Sequence, residues 1–394
     1  MKILHTSDWH LGQSFMGKSR QEEHQVFLTW LIEIIQSQNI DTLIVAGDIF
    51  DTVAPPNYAL ELYYNFLTEL TPICENIIIT AGNHDSISTL KTSKQLLKSL
   101  NIHVIASGDE DESEIVEIYK GSKLEAIVCA VPFLRDFVVR QSLSGESMSD
   151  KEQLLSQGIR EHYNTLSKEA LALANGRDIP IVATGHLTTL GSKTSESERD
   201  IYIGSTLNID SGFLDKSFDY VALGHLHINQ KVGCESVRYS GSPIPLSFSE
   251  STSQKKVNII EFKNTTPHVE ELDIPLYRKL LVIRGDLESI IKELQRVEDK
   301  ESWIEVHIND DNPFYANQTI RDMAEELELT LLAVKIDRVE SRLHAKDFKV
   351  LSLDELKPIE VFEKRLEQES LEDDNFAKEL VEGFEKIVNE VQNS

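Results

Sequence analysis

Cysteine is scarce in this chain of 394 residues, with three in all, at Cys74, Cys129 and Cys234. Such a scattered, odd-numbered set builds neither a disulfide framework nor a CxxC zinc knuckle, so we expect a reducing compartment. Long apolar runs are also missing, since none approaches the roughly 18 residues that span a bilayer. The short apolar stretch at the N-terminus is interrupted by His5 and Asp8, which excludes a secretory signal. The sequence therefore predicts a soluble cytoplasmic protein without membrane contact.

Basic residues are few relative to acidic ones. Lys and Arg number 39 against 66 Asp and Glu, which gives a formal net charge of −27. This balance argues against a broad electrostatic grip on a nucleic-acid backbone, which needs clustered Lys and Arg. A nuclease is still possible, because bound divalent cations can invert the field inside a site and a basic partner can supply affinity. Hydrophobic residues make up 40%, so the chain has enough apolar material for two or three domains.

The first half of the chain alternates short apolar runs with helical periodicity. The predicted strands are 2–4, 42–45, 76–79, 102–105, 126–131, 181–184 and 220–223. The predicted helices are 21–38, 58–70 and 90–100. Such alternation is typical of an α/β sheet that is covered by helices on both faces. Residues 136–177 are polar and helix-prone, and we expect them to form an insertion outside the sheet.

The second half of the chain has a different pattern. A strand over 256–262 closes the first domain, and Pro267 and Pro275 mark a change. Strand, helix, strand, helix and strand then follow between 280 and 336, which predicts a small α+β domain. The last part, 352–394, is acidic and contains amphipathic helical stretches.

Five short motifs stand out because most of them directly follow a predicted strand. They are Asp8-Trp9-His10, Gly47-Asp48-Ile49-Phe50-Asp51, Gly82-Asn83-His84-Asp85, Gly185-His186 and Gly224-His225-Leu226-His227. In open α/β sheets, ligands bind beyond the carboxyl ends of the strands, so residues far apart in sequence can converge there. Taken singly, each motif is more often an ordinary turn; taken together, in this order, they predict one site.

The residue types in these motifs suit a site for two metal ions. The candidate ligands are Asp8, His10, Asp48, Asn83, His186, His225 and His227. This mixture of carboxylate, amide and imidazole favours manganese, iron or zinc over copper or an iron–sulfur cluster. Two ions about 3.5–4 Å apart can clamp the attacking and leaving oxygens of a phosphoryl displacement. Asp48 can bridge the two ions with its carboxylate.

Two further residues are candidates for catalysis without ligating metal. His84 follows Asn83 directly and can donate a proton to the leaving oxygen or hold the developing charge of the phosphate. Asp51 follows Asp48 closely and is a candidate to orient His84.

With these motifs the sequence resembles the calcineurin-like metallophosphoesterase superfamily, and within it the bacterial DNA-nuclease subunits. The resemblance extends to the opening 3–13, to 219–227 and to Gly241-Ser242-Pro243, and it is looser after Pro275. It implies a metallophosphoesterase-type β-sandwich flanked by helices, with a small α+β capping domain and a C-terminal helical segment. The implied boundaries are a nuclease domain over 1–270, a capping domain over 276–340 and an ATPase-binding segment over 352–394.

The resemblance also implies which residues share an ion. One manganese would be held by Asp8, His10, Asp48 and His227, and the other by Asp48, Asn83, His186 and His225. His84 would be the catalytic histidine. The implied activity is 3′→5′ exonuclease action on double-stranded DNA and endonuclease action on hairpins or single strands, in repair, recombination and replication. The implied partners are a coiled-coil ATPase, bound through 352–394, and a second copy of the chain. The segments 21–38 and 58–70 are candidates for the dimer helices, and each also fits an ordinary core helix.

Three other interpretations compete with this one. Protein serine/threonine phosphatases of the superfamily carry an arginine just after the second aspartate of the second motif, where this chain has Thr52. Small-molecule phosphodiesterases usually lack a cap and a tail. A scaffold with a vestigial metal site is a hypothesis of a different class, although every expected ligand is present. Metal content together with cleavage of a hairpin oligonucleotide would separate an enzyme from a scaffold.

Overall fold

The computed structural model describes residues 1–109, 113–139, 148–198, 209–310, 313–336, 380–381 and 383–384. The chain divides into two compact units, Met1–Asp337 and Arg338–Ser394. In the second unit the four described residues are helical, and the rest of the predicted C-terminal segment lies outside the described residues. Among the helices of the described part, none combines the length and apolar character that a membrane span requires.

Seventeen strands are present in the described part of the chain. In chain order they are β1 (Lys2–Thr6), β2 (Ser14–Phe15), β3 (Lys18–Ser19), β4 (Thr42–Ala46), β5 (Asn76–Thr80), β6 (Ile102–Ile105), β7 (Ile115–Lys120), β8 (Lys123–Cys129), β9 (Ile181–His186), β10 (Tyr220–Gly224), β11 (Gln230–Val232), β12 (Cys234–Tyr239), β13 (Lys256–Lys263), β14 (Thr266–Asp273), β15 (Leu280–Gly285), β16 (Trp303–Ile308) and β17 (Thr330–Ile336).

The α-helices of the described part connect and cover these strands. They are α1 (Gln21–Ser37), α2 (Asn57–Leu70), α3 (Ile87–Lys91), α4 (Lys94–Lys98), α5 (Asp136–Val139), α6 (Met148–Ala174), α7 (Leu214–Ser217), α8 (Leu287–Gln295) and α9 (Pro313–Glu326). Two 3₁₀ turns occur at Ser211–Phe213 and Phe248–Glu250. The helix predicted over 90–100 is wrong in extent, because two short helices, α3 and α4, occupy this region.

Two six-stranded sheets form the body of the molecule. Their strand orders are β14-β13-β1-β4-β5-β6 and β11-β12-β10-β9-β8-β7. One apolar core lies between the sheets and includes Ile44 of the first sheet and Val182 of the second. A second core lies under α1 and α2, and a third lies under α6. The body is therefore the predicted sandwich with helices on both outer faces. Its central strands are apolar on both sides, as strands covered on both faces must be.

Helix α6 corrects the expectation of a polar insertion over 136–177. Its Leu155, Ile159 and Tyr163 are fully buried against the second sheet, together with other apolar residues of the same face. These residues recur at helical spacing, but polar residues on the solvent side dilute their signal in the sequence. The segment is therefore a helical layer of the core.

A small domain follows the sandwich, built from β15 to β17, α8 and α9. Its three strands pair in parallel, in the order β15-β16-β17, and Asp286 caps the N-terminus of α8 by accepting a hydrogen bond from Ser289 N. Parallel neighbours need crossover connections, which α8 and α9 provide. In strict terms the predicted α+β domain is thus a parallel βαβαβ unit. It has an apolar core of its own, which includes Ile290 and Ile320.

Trp303 joins the small domain to the sandwich. Its ring stacks on Phe15 with centroids 5.6 Å apart, and the guanidinium groups of Arg20 and Arg278 lie 5.3 and 4.8 Å from its centre. Arg20 is fully buried and forms two hydrogen bonds of 2.6 Å with Glu23. The pairing with Glu23 compensates the charge of Arg20. Because Arg20 is buried, its cation–π contact with Trp303 is made away from water.

Candidate metal centre

The predicted site residues converge where the two sheets meet. Asp8, Asp48 and Asn83 follow β1, β4 and β5, which are parallel neighbours in the first sheet. His186 ends β9 and His225 follows β10, which are parallel neighbours in the second sheet. Because the carboxyl ends of parallel strands lie at one edge, the five loops face one another.

Asp48 lies at the centre of this group. Its Oδ2 atom is 3.3 Å from His186 Nε2 and 3.6 Å from His10 Nε2. Two ligands of one ion, each about 2.1 Å from it and at right angles, lie roughly 3 Å apart. The same carboxylate oxygen therefore stands at ligand spacing from two imidazoles that come from different sheets.

The described residues contain three sets of candidate ligand atoms, and within each set the atoms lie within 4.8 Å of one another. The sets are Asp8, His10 and His227; Asp8, Asp48 and His186; and His10, Asp48 and His84. His84 is partly buried, and the other five residues are buried. The structure thus places residues from the first and last motifs side by side, although most of the sandwich separates them in sequence.

Asn83 and His225 complete the predicted set. Asn83 Oδ1 is 2.9 Å from His186 Nε2. The His225 ring lies edge-on to that of His186, with centroids 5.3 Å apart, and His225 N donates to Asp8 Oδ1 at 2.9 Å. The Nδ1 atom of His186 faces the carbonyl of Ala46 at 3.1 Å, which directs Nε2 into the cluster.

Several ligand residues have an unusual backbone conformation. Asp8, His10 and Asp48 have φ angles of 53°, 47° and 49°, and His225 has φ 93°. Residues other than glycine rarely adopt positive φ, and such strain concentrates at functional sites. Gly82 has a steric role beside them, since a Cβ atom there would overlap Asp48 Oδ1.

His84 lies beside the cluster, with its ring 4.9 Å from that of His10. Its Nδ1 atom donates to the main-chain carbonyl of Asp51 at 2.7 Å. This contact uses the backbone of Asp51, and the role of its side chain in orienting His84 stays a prediction. One carboxylate oxygen of Asp51, Oδ1, lies 3.3 Å from His10 Nδ1.

Asp85 has a role that sequence analysis did not assign. Its buried carboxylate accepts hydrogen bonds from Ile49 N, Phe50 N and Gly82 N, at 3.1, 3.0 and 2.8 Å. It thereby fastens the loop that carries Asp48 to the loop that carries its own motif. The Gly-Asn-His-Asp pattern contained the residue, but only the fold shows which backbone groups it binds.

The electrostatics of the cluster favour added positive charge. Burial alone would lower the pKa of His186, but the adjacent Asp48 carboxylate raises that pKa to about 9. Burial opposes ionisation of Asp48 too, yet the neighbouring His186 imidazolium holds its pKa well below the usual range. Burial raises the pKa of Asp8. These carboxylates therefore recruit cationic partners, and the donor set of carboxylate, amide and imidazole fits divalent metal ions at this place.

A cleft of about 350 Å³ opens beside the cluster. His10, His84 and His227 lie in its wall on the sandwich side. Glu305 and Lys335 of the small domain also line the cleft and form an ion pair, with 2.8 Å between Lys335 Nζ and Glu305 Oε2. The small domain thus borders the entrance to the candidate site.

Sequence analysis also missed the polar residues that surround His227. They are Ser197, Glu198, Glu250 and Lys255. None of them belongs to a motif, so only the folded arrangement identifies them.

Family models match most of the described chain. The model described as calcineurin-like phosphoesterase matches residues 1–229, and the model described as type 5 capsule protein repressor C-terminal domain matches residues 276–370. Among curated proteins, the SbcD component of nuclease SbcCD from Escherichia coli (strain K12) is 39% identical over 95% of this chain and 94% of its own. The Bacillus subtilis (strain 168) protein of the same name is 32% identical over 78% and 79%. The chain therefore belongs to the calcineurin-like phosphoesterases and, among them, to the SbcD family of nuclease subunits.

Proposed function

We propose that this chain is a metal-dependent DNA nuclease, the catalytic subunit of an SbcCD-type complex. The observation that carries the proposal is the position of Asp48 Oδ2, which lies at ligand spacing from both His10 and His186. A carboxylate shared in this way is the central element of a two-metal hydrolase. The names of the curated relatives supply the substrate class, and the donor atoms supply the chemistry.

The proposed ligand sets follow the resemblance of the sequence. Asp8, His10, Asp48 and His227 would hold one ion, and Asp48, Asn83, His186 and His225 would hold the other. When bound, the ions supply Lewis acidity and a hydroxide at neutral pH. Manganese is our specific proposal and follows the family resemblance, while the donor set of carboxylate, amide and imidazole by itself suits manganese, iron or zinc.

The residues of the chain have separate tasks in this proposal. His84, held at Nδ1 by the carbonyl of Asp51, is the group that donates a proton to the leaving oxygen or stabilises the charge on the phosphate. The Asp51 carboxylate faces His10 and supports the orientation of that ligand. Buried walls around Asp8 and Asp48 exclude bulk water, which strengthens each electrostatic contact.

The proposed domain roles are those implied by the resemblance. Residues 1–270 form the nuclease domain, 276–340 form the capping domain that controls access of DNA, and 352–394 bind the coiled-coil base of an SbcC-type ATPase. A homodimer within a heterotetramer would pair through α1 and α2. We further propose 3′→5′ exonuclease action on duplex ends and endonuclease action on hairpins and single strands, in DNA repair, recombination and replication, in the cytoplasm where bacterial DNA lies.

The test is a nuclease assay on the full chain, reconstituted with the partner ATPase. Cleavage of a hairpin oligonucleotide and a blunt duplex is followed with ATP, in the presence of manganese, magnesium or a chelator. We expect manganese-dependent cleavage that the chelator abolishes, and we expect Asp48→Asn to lose both bound metal and activity. Two bound ions without cleavage of either DNA would leave the metal centre standing and refute the nuclease. Absence of bound metal would support the scaffold interpretation.

A further inference from the structure

The proton on the His227 ring can be located from its neighbours. Ser197 Oγ is 2.5 Å from His227 Nδ1, and the same hydroxyl donates to Glu250 Oε1. A serine hydroxyl has one hydrogen, and a carboxylate can only accept. Because Ser197 gives its hydrogen to Glu250, its oxygen accepts from the Nδ1–H group of His227. The lone pair of a neutral His227 ring is then on Nε2, the nitrogen available to a cation.

Glu250 is a fixed element of this chain of hydrogen bonds. It is 1% exposed, and its Oε2 atom accepts from Leu246 N at 3.1 Å and from Lys255 Nζ at 2.5 Å. The buried Lys255 also donates to the main-chain carbonyl of His227 at 2.9 Å. The ammonium group of Lys255 therefore holds both the carboxylate of Glu250 and the main-chain carbonyl of His227.

The local fold explains why Glu250 stays in place. It ends the 3₁₀ turn Phe248–Glu250, and Phe248 packs against Phe15, Leu280 and Trp303 at the joint with the small domain. The turn is thus anchored by apolar contacts on one side and by Lys255 on the other. A positioning group needs such support, because a ligand is only as well oriented as its neighbours.

We propose that Glu250, acting through Ser197, is a positioning residue that fixes the tautomer and orientation of the metal ligand His227. The inference rests on the proposed function, since it needs His227 to bind an ion. Partners of this kind change metal affinity about 10–100-fold when they are removed. The effect is confined to the ion that His227 contacts, and this distinguishes positioning from general support of the fold.

The experiment measures binding of manganese to the metal-free full chain by calorimetry. We compare wild type with Glu250→Gln, Ser197→Ala and, as a matched control, Ser249→Ala, an exposed serine of the same turn. We expect two ions in wild type and in the control. In the Glu250 and Ser197 variants we expect one ion to bind about 10–100-fold more weakly and the other to be unchanged.

Unchanged affinities for both ions in Glu250→Gln and Ser197→Ala would overturn the inference and leave the proposed function intact. Equal weakening of both ions in Ser197→Ala would overturn it as well. Wild type that binds fewer than two ions would refute the proposed metal centre itself, and the inference with it.

Glu250→Gln leaves Lys255 buried without its carboxylate, which can unfold the chain. The double variant Glu250→Gln/Lys255→Met removes both charges and restores a compatible interior. Lys255→Met also removes the contact with the His227 carbonyl, so the double variant is compared with Ser197→Ala, which keeps Lys255. If the double variant folds as wild type by urea unfolding and the same single ion binds weakly in both variants, the positioning role is supported. If it folds and recovers full affinity for both ions, Glu250 has only a structural role.

Discussion

Asp48 uses its two carboxylate oxygens for different purposes. Oδ1 accepts a hydrogen bond from His84 N at 2.9 Å, whereas Oδ2 faces His10 and His186. The residue in the middle of the cluster therefore also anchors the backbone of the candidate catalytic histidine. Loss of His84's side chain leaves this backbone contact in place, so the role of the ring can be tested separately from the metal centre.

Replacement of His84 by glutamine separates catalysis from metal binding. We expect His84→Gln to keep both ions and to cleave DNA about 10²–10⁴-fold more slowly, the usual contribution of a positioned acid or base. Metal content and single-turnover cleavage are measured on the same preparation. The exposed His268→Gln serves as control. Cleavage at the wild-type rate would remove His84 from the mechanism.

His5 predicts a pH dependence of stability. Burial lowers its pKa to about 3, although Nε2 lies 3.2 Å from the carbonyl of Leu223. An unfolded histidine titrates near 6.5, so the neutral ring contributes full stability above that pH. Stability is lost as the pH falls below about 6.5, by about 1.4 kcal/mol per pH unit down to the folded pKa.

The measurement is urea unfolding of the chelator-treated chain between pH 7 and 5. His5→Gln should fall less steeply with pH than wild type, by about 1.4 kcal/mol per unit below pH 6. His268→Gln should follow wild type. Parallel curves for His5→Gln and wild type would show that His5 does not carry this dependence.

At the scale of elements, the sequence predicts the central strands well and the edges poorly. β4 is predicted because Leu43, Ile44 and Val45 form the continuous apolar run of a strand buried on both faces. β14 is missed because its exposed residues alternate weakly and Pro267 suggests a break, although proline is accepted in an edge strand. Motif residues are predictable, whereas Glu250 and Asp85 depend on contacts that only the fold creates.

The two loops joined by Asp85 provide a prediction at this scale. In Asp85→Asn one side-chain acceptor becomes a donor, which leaves at least one of three buried N–H groups without a partner. We expect the free energy of unfolding to fall by about 1.5–3 kcal/mol, and both ions to bind more weakly. Urea unfolding and metal titration measure the two effects. Asp178→Asn, a change at an exposed position, is the control. If Asp85→Asn were as stable as this control, Asp85 would not hold the two loops together.

At the scale of the whole molecule, net charge and domain organisation act together. A formal charge of −27 argues against a broad electrostatic grip on DNA by the surface of this chain. The small domain places Lys335 in the cleft wall, and an ATPase partner would supply further basic surface. In the proposed division of tasks, the segment 352–394 binds the partner and the candidate catalytic residues belong to the sandwich.

Deletion of 352–394 tests this division of tasks. We expect the shortened chain to hydrolyse bis(p-nitrophenyl) phosphate with manganese at a rate within about twofold of the full chain, because every candidate ligand precedes residue 228. We expect it to lose assembly with the ATPase, measured by size-exclusion chromatography of the mixture. Continued co-elution would place the binding element elsewhere in the chain.

The pairing of β1 with β13 joins segments that are far apart in the chain. β1 lies between β4 and β13 in the first sheet, although β13 is synthesised long after β1. Asp8 likewise belongs to a group of candidate ligands that is complete only after His227 has been synthesised. A polypeptide that ends before β10 therefore lacks His225 and His227, and with the proposed ligand sets it has no complete metal centre.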